Sequence, residues 1–212
     1  MRLYTYFRSS AAFRVRIALN LKGLAYEPRF VHLAKGEHRK PEFAQVNAQA
    51  LLPTLELEDG TRLNQSLAII EYLEERHPQP ALLPKEPIAK ARVRSLSYLV
   101  SSEIHPLNNL RVLQHLKRAL GQNEDQVNAW YCHWIADGLA KLEAELARGG
   151  TGRFSHGDAP GMADCCLVPQ IFNAKRYNCE LAPYPTTMRV FEQCMKLEAF
   201  DRAQPSKQPD AE

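Results

Sequence analysis

Two short polar motifs in the first third of the chain have residue types that bind an anion or a thiolate. Arg8-Ser9-Ser10 follows an aromatic-rich run with strand character and precedes a helical pattern. The unpaired N–H groups and the positive dipole end of such a helix start favour an anion or a thiolate. Gln65-Ser66 lies at a second strand-to-helix junction, where it offers a further anion site with an amide beside it.

A third motif, Leu52-Pro53, stands directly before a predicted strand. A cis bond at this X-Pro pair would leave the preceding backbone exposed, so that it could pair with an extended peptide. Each motif also has a plain structural interpretation. The serines are typical helix N-caps, and Pro53 is compatible with an ordinary edge strand.

Composition excludes several classes of protein. No stretch approaches the ~20 apolar residues of a membrane span, and the N-terminus lacks the apolar core of a signal peptide. A net charge of +3 is too balanced for a nucleic-acid-binding domain. The five cysteines are odd in number without a Cys-x-x-Cys pair, and the seven histidines lack ligand spacing. We therefore expect a cytoplasmic protein with no membrane, nucleic-acid or metal partner.

The elements that position these motifs fall into two domains. Four prolines between residues 78 and 87 predict an extended connector. We place the first domain over residues 1–80 and the second over 88–212. The last ten residues are polar and contain prolines, which predicts a loose tail.

The sequence of the first domain predicts, in this order, a strand, a helix, a strand, a short helix, a hairpin and a helix. Asp59-Gly60 suits the hairpin turn because this dipeptide tolerates positive φ, and Ser66 is expected to cap the helix that follows. Because the first helix must turn its apolar residues inward, Arg14 and Arg16 are expected at the solvent side or in a structural role. The second domain shows helical periodicity throughout, with Pro106 kinking or dividing its first long stretch, and predicts a bundle of four or more helices.

Five stretches spread along the chain carry a common pattern. They are residues 9–19, 64–75, 104–110, 162–170 and 173–176. Together they resemble the zeta class of the glutathione transferase superfamily, the class of the maleylacetoacetate isomerases. The resemblance implies an α/β plus all-α architecture, in which a thioredoxin-like glutathione-binding domain precedes an all-helical substrate-binding domain. It also implies a homodimer.

The resemblance assigns glutathione-binding roles to the motifs. Ser10 is expected nearest the glutathione sulfur, with Ser9 close behind, and the two hydroxyls would favour the thiolate. Gln65 and Ser66 would hold the γ-glutamyl end, and the Leu52 backbone would pair with the cysteinyl portion. Further glutathione contacts carried over from the family pattern are Gln49, His105 and Asn108.

The implied reaction converts a cis-enediketone dicarboxylate to its trans isomer. A thiolate adds to the conjugated carbon, the bond rotates while it is single, and the thiolate leaves again. Arginine suits both the substrate carboxylates and the developing enolate, because it is a permanent cation that can donate two parallel hydrogen bonds. Arg8 lies beside the serines, and the resemblance maps a substrate-binding arginine onto Arg176. Arg111 is a third candidate, although a solvated helix face suits Arg111 and a surface salt bridge suits Arg176.

The chain departs from the family pattern at two positions. Ala11 stands where the class often has a cysteine, so catalysis falls to bound glutathione and the serine hydroxyls. Gly161 stands where a serine or threonine usually caps the third helix of the second domain, and glycine is a tolerable N-cap. Asp164 is expected to reach back to the cap backbone.

Four functions remain open on the sequence alone. The leading one is glutathione-dependent isomerisation of maleylacetoacetate in tyrosine-type aromatic catabolism. A shorter substrate, maleylpyruvate, would require the same chemistry. A conjugating or dehalogenating transferase would leave glutathione on the product, and a non-catalytic glutathione-binding protein would share only the fold.

Overall fold

The computed structural model describes every residue from Met1 to Glu212. The chain divides into two compact units, the first made of residues 1–82 and 195–212 and the second of residues 83–194. The first break therefore lies inside the proline-rich stretch. None of the helices combines the length and the apolar character that crossing a membrane requires.

The α-helices are distributed over both units. They are α1 (Ser10–Leu21), α2 (Pro41–Ala44), α3 (Ser66–Arg76), α4 (Pro87–Tyr98), α5 (Leu110–Arg118), α6 (Glu124–Ala147), α7 (Met162–Arg176), α8 (Pro185–Met195) and α9 (Glu198–Asp201). A π-helical segment, Leu99–Ile104, and a 3-10 turn, His105–Asn108, separate α4 from α5. The long stretch is thus divided around Pro106, as the sequence predicted.

The first unit is built on one four-stranded sheet. Its strands are β1 (Arg2–Thr5), β2 (Glu27–Phe30), β3 (Thr54–Glu56) and β4 (Arg62–Asn64), in the order β2-β1-β3-β4. β1 pairs in parallel with β2 and antiparallel with β3, and β3 pairs antiparallel with β4. The predicted hairpin turn is confirmed, since Gly60 has φ of 84° and the Asp59 carboxylate accepts from the Thr61 N–H.

The prediction of a loose C-terminal tail in the second domain was wrong. Residues 195–212 belong to the first unit, where α9 packs against α1. The Ala203 carbonyl accepts from Arg16 Nε at 3.1 Å, and Asp210 Oδ2 accepts from the Phe7 N–H at 2.9 Å. Polar composition predicted exposure, but these polar groups are used to satisfy donors of the first unit.

α1 is buried on almost all sides, which corrects the expected position of its arginines. Arg14 and Arg16 are 3% and 0% exposed, so neither lies at the solvent side and the structural alternative holds. Arg16 donates to the Thr5 hydroxyl and to the carbonyls of Tyr6 and Phe7. These contacts connect α1 to the segment that follows β1.

The second unit has α7 at its centre. Twelve of the fifteen residues of α7 are buried, as expected for a helix whose apolar residues are not confined to one face, and α7 packs against α4. The expected contact of Asp164 with the cap backbone is confirmed. Its Oδ2 accepts from the Gly161 N–H and its Oδ1 from the Ser155 N–H, both at 2.8 Å.

Glu143 caps the start of α8 from the neighbouring α6. Its carboxylate accepts from the Thr186 N–H at 2.9 Å and from the Thr187 N–H and hydroxyl at 2.8 Å. Burial alone would raise the pKa of Glu143, but these hydrogen bonds outweigh it and lower the pKa below the usual value. The stabilisation is therefore complete above the ordinary glutamate pKa and is lost as the pH falls through the folded-state pKa.

We expect Glu143→Gln to lower the free energy of unfolding by about 1–2 kcal/mol near neutral pH, because a charged acceptor becomes a neutral one. The difference from the parent protein should shrink as the pH falls through the folded-state pKa of Glu143, which lies below the ordinary glutamate value, because the parent carboxyl then becomes neutral as well. Urea unfolding over a series of pH values from neutral downwards measures this. A difference that stays constant with pH would contradict the assignment.

Candidate functional site

Strand pairing brings the three predicted motifs to one edge of the sheet. Tyr4 pairs with Thr54, and Thr54 pairs with Asn64. The end of β1, the start of β3 and the end of β4 therefore meet at the same edge. The motifs adjoining these strand ends are Arg8-Ser9-Ser10, Leu52-Pro53 and Gln65-Ser66.

The two serines lie at the start of α1. Ser9 is the N-cap, and its Oγ accepts from the Ala12 N–H at 3.2 Å. Ser10 is the first residue of the helix, and both serines are less than one-tenth exposed. Because the first turn contains no acidic residue, no side-chain charge compensates the positive end of the helix dipole.

The backbone at Leu52 is open to an external partner. The Leu52-Pro53 peptide bond is cis, and neither the N–H nor the C=O of Leu52 forms a hydrogen bond within the protein. Asn47 shapes the preceding loop, because its amide donates to the Leu51 carbonyl and accepts from the Gln49 N–H. The sequence interpretation missed Asn47, although asparagine in a loop is the typical residue for such a turn.

The start of α3 differs from the expected serine cap. Gln65, not Ser66, is the N-cap, with φ of 68° and ψ of 118° and no capping side chain. Such a backbone costs about 1–3 kcal/mol for a residue other than glycine and is typical of functional sites. The Ser66 hydroxyl instead accepts from Arg14 Nη1 at 3.3 Å, and Gln65 Nε2 donates to Gln49 Oε1 at 2.7 Å.

His38 is a second residue that sequence interpretation missed. It lies on a 3-10 turn, Glu37–Arg39, and is 8% exposed, with a buried Nδ1 that has no hydrogen-bond partner. Burial is the main cause that lowers the pKa of His38, which favours the neutral ring. A neutral imidazole nitrogen can hydrogen-bond to a polar ligand.

Arg8 is exposed and unpaired with any carboxylate. Its guanidinium lies over the Phe7 ring, 4.8 Å from the ring centroid, which is a cation–π contact. Since no acidic side chain neutralises it, the guanidinium keeps its bidentate donors for an external carboxylate.

In the second unit, Asn108 and Arg176 are connected through Tyr131, which sequence interpretation missed. Asn108 Nδ2 donates to the Tyr131 carbonyl at 3.2 Å, and Asn108 Oδ1 is buried without a partner. Tyr131 stacks on Tyr177 with ring centroids 3.6 Å apart, and the Arg176 guanidinium lies 4.9 Å from the Tyr177 centroid. Burial raises the pKa of the Tyr131 phenol, whereas a hydrogen bond with Arg176 opposes this shift.

The other two predicted residues of the second unit are His105 and Arg111. His105 begins the 3-10 turn and is half-buried. Arg111 is exposed on the first turn of α5, and its N–H donates to Asn109 Oδ1. Arg176 is exposed and forms no salt bridge with a carboxylate, and its contacts are with Tyr131 and Tyr177.

The first unit has the polar groups that glutathione binding requires. The unpaired Leu52 backbone suits an extended peptide, and the start of α3, which has no acidic residue in its first turn, suits a carboxylate. The start of α1 suits a thiolate. These groups lie along one sheet edge and therefore fit the thiol tripeptide that the sequence implied.

Comparisons with known proteins agree with this arrangement. Residues 8–76 match the model of the glutathione S-transferase N-terminal domain, and residues 135–193 match that of the C-terminal domain. A maleylpyruvate isomerase from Ralstonia sp is 47% identical, with 100% of both chains covered. A maleylacetoacetate isomerase from Pseudomonas aeruginosa is 46% identical over 99% of this chain and 98% of its own.

Two solved structures are similar over 100% of both chains, each with a TM-score of 0.97. One is a maleyl pyruvate isomerase described as a bacterial glutathione S-transferase of the zeta class, 47% identical. The other is a maleylacetoacetate isomerase from Methylobacterium extorquens AM1 with bound malonate and GSH, 43% identical. The likeness therefore extends over both units.

Proposed function

Because the chain belongs to the glutathione transferase family, and within it to the zeta class, we propose that it is a glutathione-dependent cis–trans isomerase. Its proposed reaction is the conversion of maleylacetoacetate to fumarylacetoacetate, an activity named for relatives over their full length. The observation that carries the proposal is the sheet edge itself. There the serines at the start of α1 stand beside Arg8, an arginine without a carboxylate partner.

Bound glutathione supplies a thiolate that adds reversibly to the conjugated double bond, so that the bond can rotate while it is single. The chain's own residues have three tasks. Ser10 donates its hydroxyl proton to the thiolate sulfur in a hydrogen bond, which together with the start of α1 favours the charged form. Ser9 keeps the helix start in place as its N-cap. Arg8 holds a substrate carboxylate.

Glutathione is proposed to lie along the motifs at the sheet edge. Gln65 and Ser66 bind the γ-glutamyl end, with Gln49 supporting Gln65 through their 2.7 Å hydrogen bond. The Leu52 backbone pairs with the cysteinyl portion. His105 and Asn108 of the second unit are also proposed to contact glutathione.

Arg176 and Arg111 are proposed to bind the dicarboxylate together with Arg8. The lack of a carboxylate partner for Arg176 supports this role, and the malonate bound in the relative from Methylobacterium extorquens shows that such a relative takes a dicarboxylate. A guanidinium matches a carboxylate in two parallel hydrogen bonds.

We expect Arg176→Ala to raise the KM for the dicarboxylate about tenfold, with a smaller effect on kcat, because ground-state and transition-state binding are lost together. Lys175→Ala is the matched control, since it removes the adjacent cation of the same helix. Steady-state kinetics at saturating glutathione measures both variants. An unchanged KM in Arg176→Ala would remove Arg176 from the site.

The rival substrate is maleylpyruvate, which is named for the Ralstonia sp relative at an identity of 47%, about the same as the 46% of the maleylacetoacetate isomerase from Pseudomonas aeruginosa. The test is an isomerase assay with each substrate, with and without glutathione. Glutathione-dependent turnover of one substrate far above the other identifies the physiological substrate class. No turnover of either, despite glutathione binding, would replace the isomerase with a transferase or a binding protein.

We also propose a homodimer located in the cytoplasm. On α4, Ile88 is 80% exposed and Tyr98 is 46% exposed, and apolar side chains in contact with water support a second copy as their partner. All five cysteines are free thiols, which supports a reducing compartment. Sedimentation velocity and cell fractionation test the two statements.

A further inference from the structure

The C-terminal segment, defined here as residues 203–212, contacts the residue that precedes Arg8. The Phe7 N–H donates to Asp210 Oδ2 at 2.9 Å, and the Phe7 carbonyl accepts from Arg16 Nη2 at 3.1 Å. Both backbone polar groups of Phe7 are therefore held by side chains, one of them nine and the other 203 positions away in the sequence. Phe7 itself is 4% exposed.

Arg16 connects this contact to the rest of the C-terminal segment. Its Nε donates to the Ala203 carbonyl at 3.1 Å, and its Nη1 donates to Thr5 Oγ1 at 3.0 Å. Burial lowers the pKa of Arg16 to about 10, which leaves it charged at neutral pH, and the negative charge of Asp210 acts in the opposite direction.

Arg8 depends on Phe7 for its orientation. The guanidinium of Arg8 has no carboxylate partner and lies 4.8 Å from the Phe7 ring centroid. The next residue, Ser9, donates its N–H to the Tyr6 carbonyl at 2.9 Å, so that the backbone turns tightly around Phe7 and Arg8. A shift of Phe7 would therefore move the Arg8 side chain.

We propose that Asp210 is a positioning residue, which fixes Phe7 through its backbone N–H and thereby holds Arg8 ready for a substrate carboxylate. The proposal rests on the proposed function only in giving Arg8 a dicarboxylate to bind. It makes the C-terminal segment a part of substrate recognition, although Asp210 does not contact the substrate.

The test measures malonate binding, which needs no turnover. Isothermal titration of malonate into the glutathione-saturated full-length protein is compared for the parent, Asp210→Ala, Asp210→Asn and Glu212→Ala. Glu212 is the matched control because its carboxylate accepts from Lys35 and His32 and makes no contact with Phe7. A second series repeats Asp210→Ala in an Arg8→Ala background.

We expect Asp210→Ala to weaken malonate binding about tenfold, as for the loss of a hydrogen bond to a charged acceptor. Asp210→Asn keeps an acceptor and should stay within about threefold, while Glu212→Ala should match the parent. The glutathione Kd should change less than about twofold in all of them, since Gln65 and Ser66 are not touched. In the Arg8→Ala background, Asp210→Ala should have no further effect.

Three results would overturn the proposal. They are an unchanged malonate Kd in Asp210→Ala, an equal loss in Asp210→Asn, or a full additional loss in the Arg8→Ala background. Failure of the proposed function gives a different result, because the parent protein would then not bind malonate at all.

Discussion

Ser10→Ala is expected to lower glutathione-dependent isomerase turnover at least about tenfold while the fold remains intact. Ser10 is the first residue of α1 and is 6% exposed, so its hydroxyl lies at the positive end of an uncompensated helix dipole. A thiol with an ordinary pKa of about 8.5 needs such donors to be a thiolate near neutral pH. Since Ala11 leaves no cysteine beside the serines, the chain has no thiol of its own at this position to replace the effect.

Ser9→Ala is the matched control for this prediction. Because the Ser9 hydroxyl caps α1 through the Ala12 N–H, its loss should lower the free energy of unfolding by about 1 kcal/mol and affect turnover less. The ultraviolet absorbance of the bound thiolate, followed against pH, should show a raised thiol pKa in Ser10→Ala. Near-normal turnover with an unshifted thiolate titration would transfer the catalytic role away from Ser10.

Local sequence signals predicted the positions of the three motifs well. The sequence predicted two strand-to-helix junctions and one X-Pro pair before a strand. The strand order β1-β3-β4, which the structure adds, places Ser10, Leu52 and Gln65 at the same edge of the sheet. These signals depend only on the residue types of a few neighbouring positions, which can be read from the sequence.

The conformation of Gln65 could not be predicted in this way. The rule for caps favours Ser66, because serine accepts hydrogen bonds from a helix start. In the structure, Arg14 of α1 and Gln49 of the preceding loop bond to Ser66 and Gln65. Tertiary contacts therefore shifted the cap by one residue, and no local pattern records them.

The aromatic connection between Asn108 and Arg176 was also beyond the sequence. Tyr131 follows the helical period of α6 and reads as an ordinary core residue. Its stacking on Tyr177 depends on how α6 packs against the end of α7, which single-sequence periodicity does not specify. Only the structure shows that a core tyrosine supports the proposed substrate arginine.

The contact between Arg16 and the C-terminal segment is another tertiary contact that the sequence did not predict. The alternation of arginines with apolar residues in α1 left two positions open for both arginines, the solvent side or a structural role, because a buried cation is costly without partners. The partners exist, but one of them, the Ala203 carbonyl, is 187 positions away in the sequence. The prediction of a loose tail was therefore wrong because it missed the contact that gives Arg16 its structural role.

Arg16→Met is therefore expected to lower the free energy of unfolding by about 3–5 kcal/mol. Methionine fills much of the volume of the side chain, but it leaves the carbonyls of Phe7 and Ala203 without their donor in a buried site. Arg29→Met is the control, since that exposed arginine pairs only with Glu27 and its loss should cost less than about 1 kcal/mol.

Urea unfolding compares the two variants, and limited trypsin digestion gives a local measurement. In Arg16→Met, cleavage after Arg202 and Lys207 should accelerate, because the C-terminal segment loses a main contact with the first unit. Because Asp210 would lose its interaction with the positive charge of Arg16, its hold on Phe7 should also weaken. Equal stabilities of Arg16→Met and Arg29→Met, with unchanged cleavage of the segment, would show that the buried guanidinium does not hold these elements together.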